Sequence, residues 1–129
     1  GYAAADEAII GYLDKVKPPY NVNRVSAAIA IEALRNENVM TLTRKTVLEE
    51  REVLEEKLRA LNFRVFPSEA NFLLVKYPGI SSVVKDLAQE DGLIIRDFGG
   101  RRRLEDCVRI TVGTPRENAL LLYALTKRL

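Results

Sequence analysis

Apolar and polar residues alternate over residues 107–112, and this period of two predicts a β-strand with one buried face. The apolar positions are all β-branched, which favours a strand further: Val108, Ile110 and Val112. Because these side chains are expected to face a core, Arg109 should project from the opposite face. A guanidinium held on a rigid strand is suited to bind a carboxylate or phosphate through two parallel hydrogen bonds. The alternative is that Arg109 forms an ion pair at the protein surface.

The residues after this strand predict a turn at Gly113 followed by a helix. Thr114 is a good N-cap, and Pro115 suits the first helical position because the amide hydrogen it lacks would have no partner there. Glu117 can complete a capping box by accepting from the backbone amide of Thr114. We therefore expect a strand that leads directly into the last helix of the chain.

Two helices are predicted in the N-terminal part, and their apolar character suggests that they pack against something large. The first follows an N-cap at Asp6 and ends before Pro18, and the second extends over residues 24–35 after a cap at Asn23. Apolar or small residues occupy nearly every face of the second helix, which is typical of a buried helix. Residues 1–38 are therefore expected to be a piece of another domain.

From residue 39 to residue 129 the pattern predicts a small α+β domain with the element order αββαββα, within the broader α/β fold class. The long first helix should start at Thr41 or Thr43 and end at Leu61, with Asn62 as a left-handed C-cap. The later elements are strands over 63–66 and 71–76, a helix capped by Ser81 or Ser82 and ended by Gly92, a strand over 93–97, and the strand and helix described above.

Composition and charge narrow the possible functions. The 129 residues carry a net charge of +2, which is too small to suggest nucleic acid or an acidic membrane as a partner. A single cysteine forms no internal disulfide, so a reducing cytoplasm is the simplest location. The absence of histidine excludes Ser-His-Asp and Cys-His nucleophile pairs and any histidine-bound zinc within this sequence.

Arg96 is a second candidate binding residue, at the end of the strand predicted over 93–97. With Arg109 it places two guanidinium groups on one small sheet, and two such groups would suit a substrate with two anionic groups. The alternative is an ion pair of Arg96 with Asp97 or Glu105 at the surface. The arginine run 101–103 lacks the interleaved aromatic residues of a nucleic-acid site.

Four segments together resemble the histidinol-phosphate aminotransferase family, which belongs to the fold-type I aminotransferases that use pyridoxal phosphate. They are KPPYNVN (17–23), FRVFPSEANF (63–72), IIRDFGG (94–100) and VRITVGT (108–114). The resemblance extends over the whole chain, and the opening Gly1-Tyr2-Ala3 is similar to the end of the family strand that follows the cofactor lysine. It implies that residues 1–38 end the large cofactor-binding domain and that 39–129 form the small domain.

The same resemblance implies roles for the two arginines. Arg109 matches the arginine that binds the substrate α-carboxylate, and Arg96 matches an arginine that helps to hold the phosphate of histidinol phosphate. The Schiff-base lysine would lie upstream of Gly1, so no catalytic or cofactor-binding residue is expected within this chain. The resemblance further implies a cytoplasmic homodimeric parent enzyme that acts on an amino-acid phosphate and a 2-oxo acid, and a C-terminal fragment that is inactive alone.

Three alternatives stay open at this point. The parent could be a related aminotransferase for aromatic amino acids, or a decarboxylase of the phosphothreonine type, because both would use the same small domain. A stand-alone ligand-binding or interaction module is the alternative that is not an enzyme. The sequence contains neither a GxGxxG motif nor a phosphate-binding Walker loop.

Overall fold

The computed structural model describes residues 3–19 and 21–129, so the strand end expected at Gly1 and Tyr2 lies outside the described residues. The chain divides into two compact units, Gly1–Met40 and Thr41–Leu129. The boundary predicted between residues 38 and 39, with a large-domain remnant before it, stays a prediction.

The first unit contains two amphipathic helices, α1 (Glu7–Val16) and α2 (Arg24–Arg35). Both predicted N-caps are confirmed: the Asp6 side chain accepts from the amide of Ala8 at 2.9 Å, and that of Asn23 accepts from the amide of Ser26 at 2.8 Å. Neither helix contains a buried residue. Their large apolar side chains are therefore exposed to water within this unit, including Ile9, Tyr12, Leu13, Val25, Ile29 and Leu34.

Helix α3 (Glu37–Ala60) begins earlier than the sequence indicated, so the predicted start at Thr41 or Thr43 is wrong. The carbonyl of Asn36 already accepts from the amides of Val39 and Met40. No glycine or proline interrupts the following residues, and Glu37 in the first turn favours the positive end of the helix dipole. The expected left-handed C-cap is confirmed, because Asn62 has a φ of 66°.

The second unit has the predicted order αββαββα over its part of α3 and the elements that follow it. The strands form one antiparallel sheet in the order β1-β2-β4-β3. Their bounds are β1 (Arg64–Val65), β2 (Phe72–Lys76), β3 (Arg96–Asp97) and β4 (Cys107–Thr111), and the other helices are α4 (Ile80–Glu90) and α5 (Pro115–Thr126). The fold class is therefore mixed α and β, as predicted.

One face of the sheet is covered by helices and forms the core of this unit. Leu73 pairs with Ile110 and Val75 pairs with Val108, and all four side chains are buried. Leu54 and Leu58 of α3, Leu87 of α4 and Leu125 of α5 belong to the same apolar cluster. Removing this apolar surface from water provides the main driving force for folding of the unit.

Two further boundaries differ from the sequence prediction. Strand β3 contains only Arg96 and Asp97, because only these two residues pair with β4, whereas the amide of Leu93 donates to the carbonyl of Leu87 at the end of α4. Helix α4 is capped by Gly79, with a φ of 74°, and not by Ser81 or Ser82. The Ser82 hydroxyl instead donates to the carbonyl of Gly79 at 2.9 Å, inside the first turn.

We expect the apolar faces of α1 and α2 to make the chain self-associate. Exposed apolar patches on a soluble chain usually find a partner, and a two-fold pairing of the two helices is the simplest closed arrangement. Sedimentation should show a dimer for residues 1–129 and a monomer for residues 41–129. A monomeric full chain whose first 40 residues resist proteolysis would contradict this prediction.

A second prediction concerns Asn118, the buried polar side chain that bridges the β4–α5 turn and α3. Replacement by leucine removes its hydrogen bonds and leaves the half-buried carboxylate of Glu50 and the backbone groups of Gly113 without this partner. The free energy of unfolding should fall by about 2–3 kcal/mol in a urea titration. The exposed Gln89→Ala substitution in α4 is the control and should change it by less than about 0.5 kcal/mol. Equal stabilities of the two variants would show that the bridge contributes nothing.

Candidate functional site

Arg96 and Arg109 lie directly opposite each other on the neighbouring antiparallel strands β3 and β4. Opposite residues of such a pair have Cβ atoms about 4.5–5.5 Å apart and project from the same face. That face is the open one, because Arg109 is exposed while its neighbours Val108 and Ile110 are buried. The structure thus brings together the two candidate residues that the sequence singled out separately.

Neither guanidinium has an acidic partner among the residues that the structure describes. Asp97, which was the alternative partner of Arg96, accepts from the amide of Gly99 at 2.8 Å. Glu105 accepts from the amide of Arg103 at 3.0 Å, and backbone hydrogen bonds, its own first and then that of Arg103, hold its pKa below the ordinary value. The surface ion pairs considered for the two arginines are therefore not formed within the described ranges. Both charges are available to an external anion.

The two arginines line one open cleft of about 810 Å³. The segment that leads into β3 forms one wall, and the end of β4 with the first turns of α5 forms the other. Apolar side chains supply much of this lining: Leu93, Ile95, Val112 and Leu121. A cleft with apolar walls and a few cationic groups is suited to a small organic anion.

The ring of Phe72 lies against the guanidinium of Arg109. The Arg109 Cζ atom is 5.3 Å from the ring centroid, which is the geometry of a cation–π contact. Phe72 belongs to β2, where it pairs with Thr111, so it is diagonal to Arg109 on the open face. Sequence reasoning had placed Phe72 only within a strand, because its face of that strand also carries Leu74 and so has no clear polar character.

The turn between β4 and α5 is held by Asn118, which the sequence analysis also missed. Its side-chain oxygen accepts from the amide of Gly113 at 2.9 Å, and its nitrogen donates to the carbonyl of Gly113 at 3.1 Å. The same nitrogen donates to Glu50 of α3 at 2.9 Å. A Cβ atom at residue 113 would lie 2.9 Å from that of Glu117, so only glycine fits this corner.

The predicted capping box at the start of α5 is confirmed. The amide and hydroxyl of Thr114 both donate to the Glu117 carboxylate at 2.8 Å, and the Glu117 amide donates to the Thr114 hydroxyl at 3.3 Å. The backbone bond from Thr114, and then its hydroxyl, keep the pKa of Glu117 below the ordinary value. Glu117 therefore stays ionised at the edge of the cleft and is occupied by the helix start.

The cleft does not fit a covalently held pyridoxal cofactor by itself. None of its lining residues is a lysine, although the sequence contains lysines at 15, 17, 45, 57, 76, 85 and 127. Within the described ranges, no group of three or more acidic, cysteine or histidine side chains could hold a metal ion. Over the same residues, no helix combines the length and apolar character needed to span a membrane.

Curated relatives of this chain are named histidinol-phosphate aminotransferases. The protein of that name from Chromobacterium violaceum is 42% identical over 128 residues, which cover 98% of this chain and 36% of the relative. A second, from Thermoanaerobacter pseudethanolicus, is 39% identical and is likewise matched over 36% of its length. The chain therefore spans about a third of the curated relatives that it matches.

The fold of this chain is similar to that of a solved structure, and its sequence matches a family model. The histidinol-phosphate aminotransferase from Clostridium acetobutylicum superposes with a TM-score of 0.76 at 27% identity, over 92% of this chain and 37% of that one. The model of the family described as "Aminotransferase class I and II" matches residues 1–125. The chain belongs to the class I and II aminotransferase family.

Proposed function

We propose that this chain is the substrate-binding small domain, with a remnant of the large domain, of a histidinol-phosphate aminotransferase. The parent enzyme would transfer the amino group of L-histidinol phosphate to 2-oxoglutarate, with imidazole-acetol phosphate and L-glutamate as products. The observation that carries the proposal is the pair Arg96 and Arg109, opposite each other in one cleft with no acidic partner among the described residues. The names of the relatives support the choice of substrate.

The chemistry of the two substrates explains why two guanidinium groups should stand side by side. Histidinol phosphate has a phosphate monoester and no carboxylate, whereas 2-oxoglutarate and glutamate have two carboxylates. A site that takes both in turn must bind different anions at the same place. A carboxylate needs one planar two-bond fork, which Arg109 can supply, while a phosphate has three acceptor oxygens and a charge of about −1.5 to −2 that a second arginine can share.

The α-carboxylate role of Arg109 therefore belongs to glutamate and 2-oxoglutarate in this proposal. When histidinol phosphate is bound, its phosphate would occupy the same fork and also contact Arg96. The apolar walls of the cleft would exclude water and so strengthen both charge contacts. Arg96 thus becomes the residue that favours a phosphorylated donor.

Pyridoxal phosphate, when bound, supplies the electron sink that allows an amino group to move between two carbon skeletons. Because no lysine lines the cleft, we infer that residues outside this chain hold the cofactor and move the proton at the reacting carbon. The chain alone should then have no aminotransferase activity. A homodimeric parent in the cytoplasm belongs to the same proposal.

A decarboxylase is the second candidate, because a decarboxylase from Sulfurospirillum multivorans superposes with a TM-score of 0.77 at 27% identity, over 96% of this chain and 37% of that one. A decarboxylase that acts on a phosphorylated amino acid would also need a phosphate contact and a carboxylate in the cleft. The two reactions are distinguished in the full-length protein by their products. Release of CO₂ from a phosphorylated amino acid, with no amino transfer to 2-oxoglutarate, would favour the decarboxylase.

Replacement of Arg109 by lysine in the full-length enzyme should weaken both half-reactions. Lysine keeps the charge but cannot form the planar fork that the carboxylate and the phosphate both use. We expect kcat/KM for 2-oxoglutarate and for histidinol phosphate each to fall by an amount equivalent to about 2–4 kcal/mol. Steady-state kinetics with each substrate varied in turn provide the measurement. Unchanged kinetics for 2-oxoglutarate would exclude Arg109 as the carboxylate contact.

Replacement of Arg96 by alanine should instead lower kcat/KM more for a phosphorylated substrate than for one without a phosphate. The phosphate loses one of two charged partners, whereas a carboxylate on Arg109 keeps its fork. The kcat/KM for histidinol phosphate should therefore fall at least about tenfold more than that for glutamate or an unphosphorylated amino donor. Arg102→Ala, in the loop after β3 and outside the cleft lining, is the matched control. Equal losses for both kinds of donor would show that Arg96 is not a phosphate contact.

A further inference from the structure

We propose that Phe72 is a positioning residue that fixes the plane of the Arg109 guanidinium, so that its edge of N–H donors faces the cleft. The inference rests on the proposed function, because it concerns how the anion-binding arginine is held. Phe72 is uncharged and does not line the cleft, so neither property would identify it as part of the site.

The two side chains are in cation–π contact on one face of the sheet. Arg109 Cζ lies 5.3 Å from the centroid of the Phe72 ring, and both side chains are on the open face of the sheet. An arginine prefers to present its positive plane to the negative face of an aromatic ring. A guanidinium whose plane lies against a ring keeps its in-plane N–H groups available for a carboxylate or phosphate.

Phe72 is itself held in place by contacts with the loop that precedes it. The Ser68 hydroxyl donates to the carbonyl of Phe72 at 2.6 Å and accepts from the amide of Ala70 at 3.1 Å. Arg51 of α3 donates to the carbonyl of Ala70 at 3.0 Å. The start of β2 is therefore tied both to its own loop and to the helical layer, which gives the ring a fixed support.

The like charge opposite Arg109 explains why a support is needed. Arg96 lies across the ladder from Arg109, and like charges at directly opposite positions repel each other. Neither has an acidic partner among the described residues that could hold it in place. Without the ring, the long Arg109 side chain would sample several rotamers, and binding an anion would have to restrict them.

A second cation–π pair, at β1 and the residue after it, provides a matched control. Arg64 Cζ lies 4.9 Å from the centroid of the Phe66 ring, so the contact resembles that of Arg109 with Phe72. Neither Arg64 nor Phe66 lines the cleft. Loss of an aromatic ring at position 66 therefore tests the cost of losing such a contact away from the anion site.

The test uses six variants of the full-length holoenzyme. They are Phe72→Leu, which keeps much of the apolar volume; Phe72→Tyr, which keeps the ring; Phe66→Leu as the control; Arg109→Lys; Phe72→Leu combined with Arg109→Lys; and a protein with pentafluorophenylalanine at position 72. KM and kcat are measured for 2-oxoglutarate and histidinol phosphate. A dissociation constant is measured for maleate, an unreactive dicarboxylate.

Phe72→Leu should raise both KM values and the maleate dissociation constant by about threefold to tenfold, with a smaller change in kcat. Phe72→Tyr should restore them, and Phe66→Leu should leave them unchanged. In the Arg109→Lys background, Phe72→Leu should have little further effect, because residues that act through one another are not additive. Substitution of Phe72 by pentafluorophenylalanine, which keeps the ring but reverses its face potential, should weaken maleate binding as leucine does.

Three results would overturn the inference while leaving the proposed function intact: unchanged anion affinity in Phe72→Leu, no restoration by tyrosine, or additive losses in the double variant. If leucine at position 72 prevents folding, normal maleate binding by the fluorinated protein overturns it instead. Failure of the proposed function has a different signature. In that case Arg109→Lys itself would leave the affinity for maleate and 2-oxoglutarate unchanged.

Discussion

The antiparallel ladder between β2 and β4 is the constraint on which the rest of this unit depends. It places Leu73 against Ile110 and Val75 against Val108 on the face that α3, α4 and α5 cover. A shift of one residue in this register would expose the whole apolar set and bury Arg109 instead. The burial that stabilises the sheet therefore also decides which face carries Arg96 and Arg109. Stability and the proposed function depend on the same register.

The sequence predicted those elements whose pattern is local. A period of two identified β4 and the exposed face of Arg109, and the cap residues Asp6, Asn23 and Thr114 located three helix starts. The start of α3 was missed because Asn36, which ends α2, is followed at once by the next helix, and the threonine that suggested a later start lies inside that helix. Strand β3 was overestimated because the apolar run before Arg96 does not pair with β4, and the amide of Leu93 bonds to α4 instead.

The candidate site could be predicted only one residue at a time. Arg96 and Arg109 were recognisable as cations on strands. That they lie opposite each other depends on the register in which β3 pairs with β4, and no local sequence pattern determines that register. Asn118 escaped notice because a polar residue near a helix start usually faces water, whereas here it is 5% exposed. Its spacing after Gly113 was the available signal. An amide with donors and an acceptor can bridge both backbone groups of a tight glycine corner.

The open face of the sheet carries two like charges that do not stabilise the sheet. Two opposed guanidinium groups without acidic partners among the described residues repel each other, and a bound anion would relieve this repulsion. Supports that hold the two groups apart and aligned reduce the ordering that binding would otherwise require. We propose that Phe72 on β2 is such a support. Residues of α3 bond to the loop before β2 and to Asn118 at the corner after β4. The helical layer therefore covers one face of the sheet and also holds segments that flank the proposed anion site.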